Sequence, residues 1–137
     1  MITKNFKCEA IAAGKAAGPA IVSNEAICFY LVEPESGVVI EQKHVLEGRS
    51  MSGHVLVAHA GKGSSVVQMD GLFKIAARGK GPVAVVLRNP DPVFVSALLV
   101  MELPSVYNVE EDFYSYVQDG DMVTVDADGG NIKVERQ

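Results

Sequence analysis

Apolar residues along this chain change their period several times, and each change marks an element. Ile2 to Ala13 alternates partially between apolar and polar positions, the pattern of a strand with one covered face. Gly14 and Gly18-Pro19 read as breaks in that strand. Ala20-Ile21-Val22 and Ala26-Ile27-Cys28-Phe29-Tyr30 read as short strands, separated by a polar turn at Ser23-Asn24-Glu25. Glu33-Pro34-Glu35-Ser36-Gly37 is a turn, followed by Val38-Val39-Ile40. Gly48 to Gly53 predicts a loop ahead of a strand at Val55-Leu56-Val57-Ala58. Between Val66 and Arg78 the period becomes helical: Val66, Met69, Leu72, Phe73, Ile75 and Ala76 form one stripe. Gly71 lies inside that run, where glycine costs about 1 kcal/mol relative to alanine. Gly79-Lys80-Gly81 stops the helix just past basic Arg78.

Val83 to Leu87 is apolar throughout, which predicts a buried strand of the kind found in parallel sheets. Asn89-Pro90-Asp91-Pro92 is a turn with a helix-start signature, and Val93 to Leu103 reads as a short apolar helix ending before Pro104. Glu110 to Val117 predicts a further helical turn. Met122 to Asp126 and Asn131 to Val134 flank Gly129-Gly130 as a β-hairpin. The middle is therefore α/β and the two ends are mainly β. No repeat, low-complexity tract or linker divides residues 1–137, so the expected fold is one compact β/β/α domain with a mixed sheet and a C-terminal β-hairpin.

Length and composition fit that reading. A chain of 137 residues with 48% hydrophobic and 21% charged residues is ordinary for one globular domain, and it buries about two-thirds of its unfolded surface. The net charge is -5 and basic residues form no run, which argues against nucleic acid as a partner. No stretch approaches the roughly 20 apolar residues of a membrane span. The first residues, Met1 to Asn5, lack the apolar core of a secretory signal, so a soluble, cytoplasmic protein is expected. Cys8 and Cys28 have no second pair beside them. They supply neither a zinc site nor the three or four thiolates of an iron–sulfur cluster, and each is expected to be a small buried residue.

The chemistry concentrates at His59-Ala60-Gly61-Lys62-Gly63-Ser64-Ser65, between the predicted strand and helix. Serine is a preferred N-cap and glycine serves tight turns, so these residues already make structural sense. The same position also exposes free N–H groups that favour negative charge, whether a bound anion or a serine losing its proton. A P-loop is excluded: with Gly61-Lys62 as its Gly-Lys pair, the first glycine falls on Leu56 and the hydroxyl residue on Gly63. His54 and His59 are five apart on a strand and point to opposite faces, unsuited to sharing a metal. Asp126 to Asn131 fails as a calcium loop, because Gly130 and Asn131 stand where an oxygen ligand and a glycine are needed. No serine–histidine–carboxylate triad follows from spacing, although a Ser64–His59 pair stays open in space.

The order of features resembles the small subunit, or swivel domain, of the aconitase X family, over nearly the whole chain. The matching elements are Gly14-Lys15-Ala16-Ala17-Gly18 with Ala20 to Ser23; Phe29 with Val32-Glu33-Pro34-Glu35-Ser36-Gly37; His44 with Leu46-Glu47-Gly48-Arg49-Ser50; Gly53 to Val57; Gly61-Lys62-Gly63-Ser64-Ser65; Gly81-Pro82-Val83-Ala84; and Leu103-Pro104. The resemblance implies a hydro-lyase built from two parts. A large subunit carries an iron–sulfur cluster and much of the substrate pocket. The small subunit binds no cofactor itself and supplies a serine base. By position that serine is Ser64, with Gly63, Ser65 and Lys62 helping to bind a small hydroxy-acid substrate. Family members dehydrate mevalonate 5-phosphate in isoprenoid synthesis or cis-3-hydroxy-L-proline.

The chain departs from the family pattern in places. Tyr30-Leu31 lead straight to Val32-Glu33-Pro34, where the family has a Gly-Gly pair and one more residue. Val67 and Gln68 replace small residues after the serines, and Ser96-Ala97 replaces a Gly-Ala pair. Larger side chains beside a loop reshape a pocket, so the resemblance leaves the substrate open. Two readings of other classes stand beside the dehydratase: a non-catalytic module that binds a partner protein or small anion, and a self-sufficient serine hydrolase.

Overall fold

The computed structural model describes residues 1–137. Its strands in chain order are β1 (Ile2–Lys7), β2 (Glu9–Ala12), β3 (Lys15–Val22), β4 (Val55–Ala58), β5 (Ala84–Leu87), β6 (Ser105–Tyr107), β7 (Met122–Asp126) and β8 (Asn131–Arg136). The helices are α1 (Ser65–Ala77), α2 (Pro92–Val100) and the short α3 (Asp112–Tyr116), with one 3₁₀ turn at Phe29–Leu31. The spatial strand order is β1-β8-β7-β3-β4-β5-β6-β2. β1, β8, β7 and the first half of β3 pair antiparallel. The second half of β3 pairs parallel with β4, then β5 and β6 continue parallel, and β2 closes that end antiparallel to β6.

β1 and β2 lie at opposite ends of this order, yet only Cys8 separates them in sequence. The sheet therefore curls until its two ends are joined by chain. One apolar cluster fills the inside: Phe6, Val55, Val57, Val86, Val123, Val125, Ile132 and Val134, closed by Phe113 of α3. A second lies between the parallel strands and α1 and α2: Leu56, Ala58, Val85 and Leu87 against Leu72, Ile75, Phe94 and Leu98. β4 and β5 feed alternate side chains into both clusters, which is why their sequences are apolar throughout.

The expected mixed-sheet β/β/α domain and its hairpin are present, with four local corrections. Gly18-Pro19 does not break a strand. Both lie inside β3, where its pairing passes from β7 to β4, and a side chain at Gly18 would come within 2.6 Å of the Gly53 carbonyl. Ala26 to Tyr30 is not a strand. Ile27 makes a single parallel bridge to Gly61, and the chain then turns into the 3₁₀ segment. On α1 the buried stripe is Gln68, Gly71, Leu72 and Ile75, whereas Val66 and Phe73 are 63% and 58% exposed. β6 has no alternation to announce it. Its three residues become a strand because β5 and β2 supply partners on both sides.

Candidate functional site

α1 begins as its sequence predicts. Ser64 is the N-cap in extended backbone, and its Oγ accepts a hydrogen bond from Val67 N at 3.3 Å. Its own carbonyl accepts from Gln68 N at 3.0 Å. The N–H groups of Ser65 and Val66 have no acceptor within the chain. Ser64 and Ser65 are both exposed, so a hydroxyl and free amide donors share one accessible corner at the positive end of α1.

The preceding loop is tightly specified. Ile27 N donates to the Ala60 carbonyl at 2.9 Å and Lys62 N donates to the Ile27 carbonyl at 3.0 Å, pinning the loop to residues 26–28. Gly63 has φ +105°, and a Cβ there would lie 2.7 Å from Val67 Cγ1. A Cβ on Gly61 would overlap Gln68 Oε1 and lie 2.8 Å from Phe94 Cδ2. Phe94 packs edge-on against Phe29 with ring centroids 5.3 Å apart, giving the loop an aromatic floor. Beneath it lies Gln68, only 6% exposed, whose Nε2 donates to the Gly63 carbonyl at 3.1 Å and whose Oε1 has no partner.

Lys62 is half-exposed, and its charge is engaged. Its Nζ lies 2.6 Å from Glu41 Oε2, and that hydrogen bond holds its pKa above the ordinary lysine value. Glu41 rides on a loop ordered by His44. This buried imidazole faces the Ala26 carbonyl through Nε2 at 3.0 Å and accepts from Leu46 N at Nδ1, also 3.0 Å, which sets its tautomer. His44 entered the sequence reading only as part of a resemblance. Gln68 entered only as a departure; a lone amide in an apolar helical stripe was the signal that it faces inward.

Ser64 and His59 make no hydrogen bond with each other. The Ser64 Oγ partner is Val67 N, while the His59 carbonyl accepts from Asn89 Nδ2 at 2.9 Å. His54 Nδ1 instead faces the Ser52 carbonyl at 2.7 Å. The two cysteines are half-buried rather than buried: Cys8 occupies the bend between β1 and β2, and Cys28 precedes the 3₁₀ turn. Burial, with the Asp126 carboxylate nearby, pushes the Cys8 thiol up to about 11. An iron–sulfur cluster does not fit on these residues: two thiols are too few, Cys8 is held protonated, and no three His, Cys, Asp or Glu side chains converge.

Comparison with known proteins agrees with this architecture. Residues 5–134 match the aconitase X swivel domain. The chain is 38% identical to the phosphomevalonate dehydratase small subunit of Methanothermobacter thermautotrophicus, over 92% of this chain and 96% of that one. It is 34% identical to the phosphomevalonate dehydratase small subunit of Methanosarcina mazei, over 100% of this chain and 95% of that one. The crystal structure of Thermococcus kodakaraensis aconitase X in its holo-form superposes with a TM-score of 0.88 at 29% identity, covering 97% of this chain and 99% of that one. With the fold and the extent of the match in agreement, this chain belongs to the aconitase X swivel-domain family.

Proposed function

We propose that this chain is the small subunit of a phosphomevalonate dehydratase of the aconitase X type, a hydro-lyase acting on mevalonate 5-phosphate together with a large subunit. Near-full-length similarity to small subunits of that name carries the reading. Those names also favour mevalonate 5-phosphate over cis-3-hydroxy-L-proline.

In this reading Ser64 is the base. It takes a proton from the carbon next to the one bearing the hydroxyl, and water is lost across that bond. A serine hydroxyl is a weak base until its alkoxide is stabilised. Val67 N already donates to Ser64 Oγ, and that bond strengthens once the oxygen carries charge. The positive end of α1 adds to it. Ser65 and the Gly63 backbone contribute polar groups to the substrate. Lys62 adds a cation there once it leaves Glu41. The iron–sulfur cluster and expulsion of the hydroxyl belong to the large subunit.

An anaerobic tagged pull-down from the native cells, with mass spectrometry and iron analysis, tests the reading. A larger iron-containing partner, whose complex dehydrates mevalonate 5-phosphate, is the expected result. Recovery of the chain alone, or with an iron-free protein, would turn the interpretation toward a non-catalytic swivel-fold module.

A further inference from the structure

We infer that Gln68 is a positioning residue that sets the orientation of the Ser64 hydroxyl by holding the Gly61–Ser64 loop from beneath, an inference that rests on Ser64 acting as the base. Gln68 is on the first turn of α1, four residues after Ser64, and its backbone N–H is bonded to the Ser64 carbonyl. Its side chain turns inward under the loop, and Nε2 bonds the Gly63 carbonyl. Backbone and side chain of one residue therefore hold the carbonyls on both sides of Ser64, its own and that of Gly63. Gly61 has no room for a Cβ because the Gln68 amide and the Phe94 ring occupy that space. The loop and the amide are fitted to each other.

Packing alone does not account for an amide here. Oε1 is buried without a partner, and a leucine or methionine would fill the same space without an orphan side-chain oxygen, losing only the bond to the Gly63 carbonyl. Buried polar atoms without partners are rare and call for a local explanation. The bond from Nε2 to Gly63 supplies one. Gly63, at φ +105°, is free to adopt many conformations in the unfolded chain, and its carbonyl is one of the few handles by which the loop ahead of Ser64 can be fixed.

Gln68→Met and Gln68→Leu remove the bond and the orphan oxygen together. Assayed in complex with the large subunit, both should lower kcat roughly 10- to 100-fold, the scale of a misplaced reacting group, with KM within about twofold, because the substrate's other contacts are untouched. The melting temperature of the isolated chain should stay level or rise. In the same isolated chain, amide hydrogen exchange at Gly63, Ser64 and Ser65 should quicken. Unchanged kcat in both variants overturns the inference, as does a kcat loss matched by a fall in melting temperature in both. Ser64→Ala separates this outcome from failure of the base assignment. If that variant keeps full activity, the base assignment falls, and exchange in Gln68→Met then decides the loop-holding role alone: no change there overturns it.

Discussion

At the scale of single residues, Ser64 has one observed job, as an N-cap, and one proposed job, as the base, and their costs differ by orders of magnitude. As an N-cap it satisfies one amide, and its loss costs about 1 kcal/mol, equivalent to roughly 3–5 °C in melting temperature for a domain of this size. As the proposed base it would contribute on the order of 100- to 10,000-fold in rate. Ser64→Ala should therefore leave a folded chain that still binds the large subunit, melts a few degrees lower, and has lost nearly all dehydration. Calorimetry and turnover on the same preparation check this, and unaltered turnover would remove Ser64 from the role of base. Lys62 shows how a neighbouring charge escapes a sequence reading. Its partner Glu41 lies on a distant loop, and no local pattern joins the two.

At the scale of elements, glycines record close approaches. Gly71 falls mid-helix, where propensity alone would favour alanine by about 1 kcal/mol. A Cβ there would lie 2.8 Å from both the carbonyl carbon and Cβ of Phe29, and 3.0 Å from Tyr30 N. Most of those atoms are backbone, so relief requires moving the 3₁₀ segment away from α1. Gly71→Ala should therefore destabilise by about 1–2 kcal/mol, overpacking outweighing propensity. Chemical denaturation measures it, and a stabilised variant would contradict the packing. The misread stripe on α1 has a related cause. Val66 and Phe73 continue the helical period, but the sheet, α2 and the 3₁₀ segment cover only the face bearing Gln68, Gly71, Leu72 and Ile75.

At the scale of the whole molecule, a two-pronged ion pair fastens the last residue of β8 to the turn that leads into β7. Arg136 Nε and Nη2 meet Asp121 Oδ1 and Oδ2 at 2.9 and 2.7 Å, and Gln118 N adds a bond to Oδ2 at 2.9 Å. The Arg136 hydrogen bonds hold the Asp121 carboxyl below its ordinary value. A lowered folded-state pKa gives stability that is present above the unfolded value and fades as pH falls through the folded one. Asp121→Asn should thus melt well below the unaltered chain at neutral pH, with the gap closing below about pH 4. A gap independent of pH would deny the pair this role. Subunit contact belongs to the same scale. Leu31, Ile40 and Val66 are exposed apolar side chains on the 3₁₀ turn, the residue before Glu41 and the start of α1, flanking the serine loop. On the two-subunit reading, Ile40→Glu should weaken association with the large subunit at least tenfold while leaving the chain's own melting temperature unchanged. Calorimetric titration of the two subunits tests it.

The sequence by itself determined the elements whose cause is local. These are the strand–loop–helix run around Ser64, the apolar β4 and β5, the Asp91-Pro92 helix start and the glycine hairpin. Period, caps and turn residues act within a few positions and are written in the residues themselves. The ordered set of glycine and serine motifs also marked the family and the loop. Tertiary structure decided everything that depends on a distant partner. It carried β3 through Gly18-Pro19 from its antiparallel partner β7 to its parallel partner β4, and it made β6 a strand between two neighbours. It turned Ala26 to Tyr30 into a bridge and a 3₁₀ turn. It also coupled Lys62 to Glu41 and set the Gln68 amide beneath Gly63. A side chain's partner across the fold is fixed by packing, and packing exists only once the sheet has curled and the helices have closed over it.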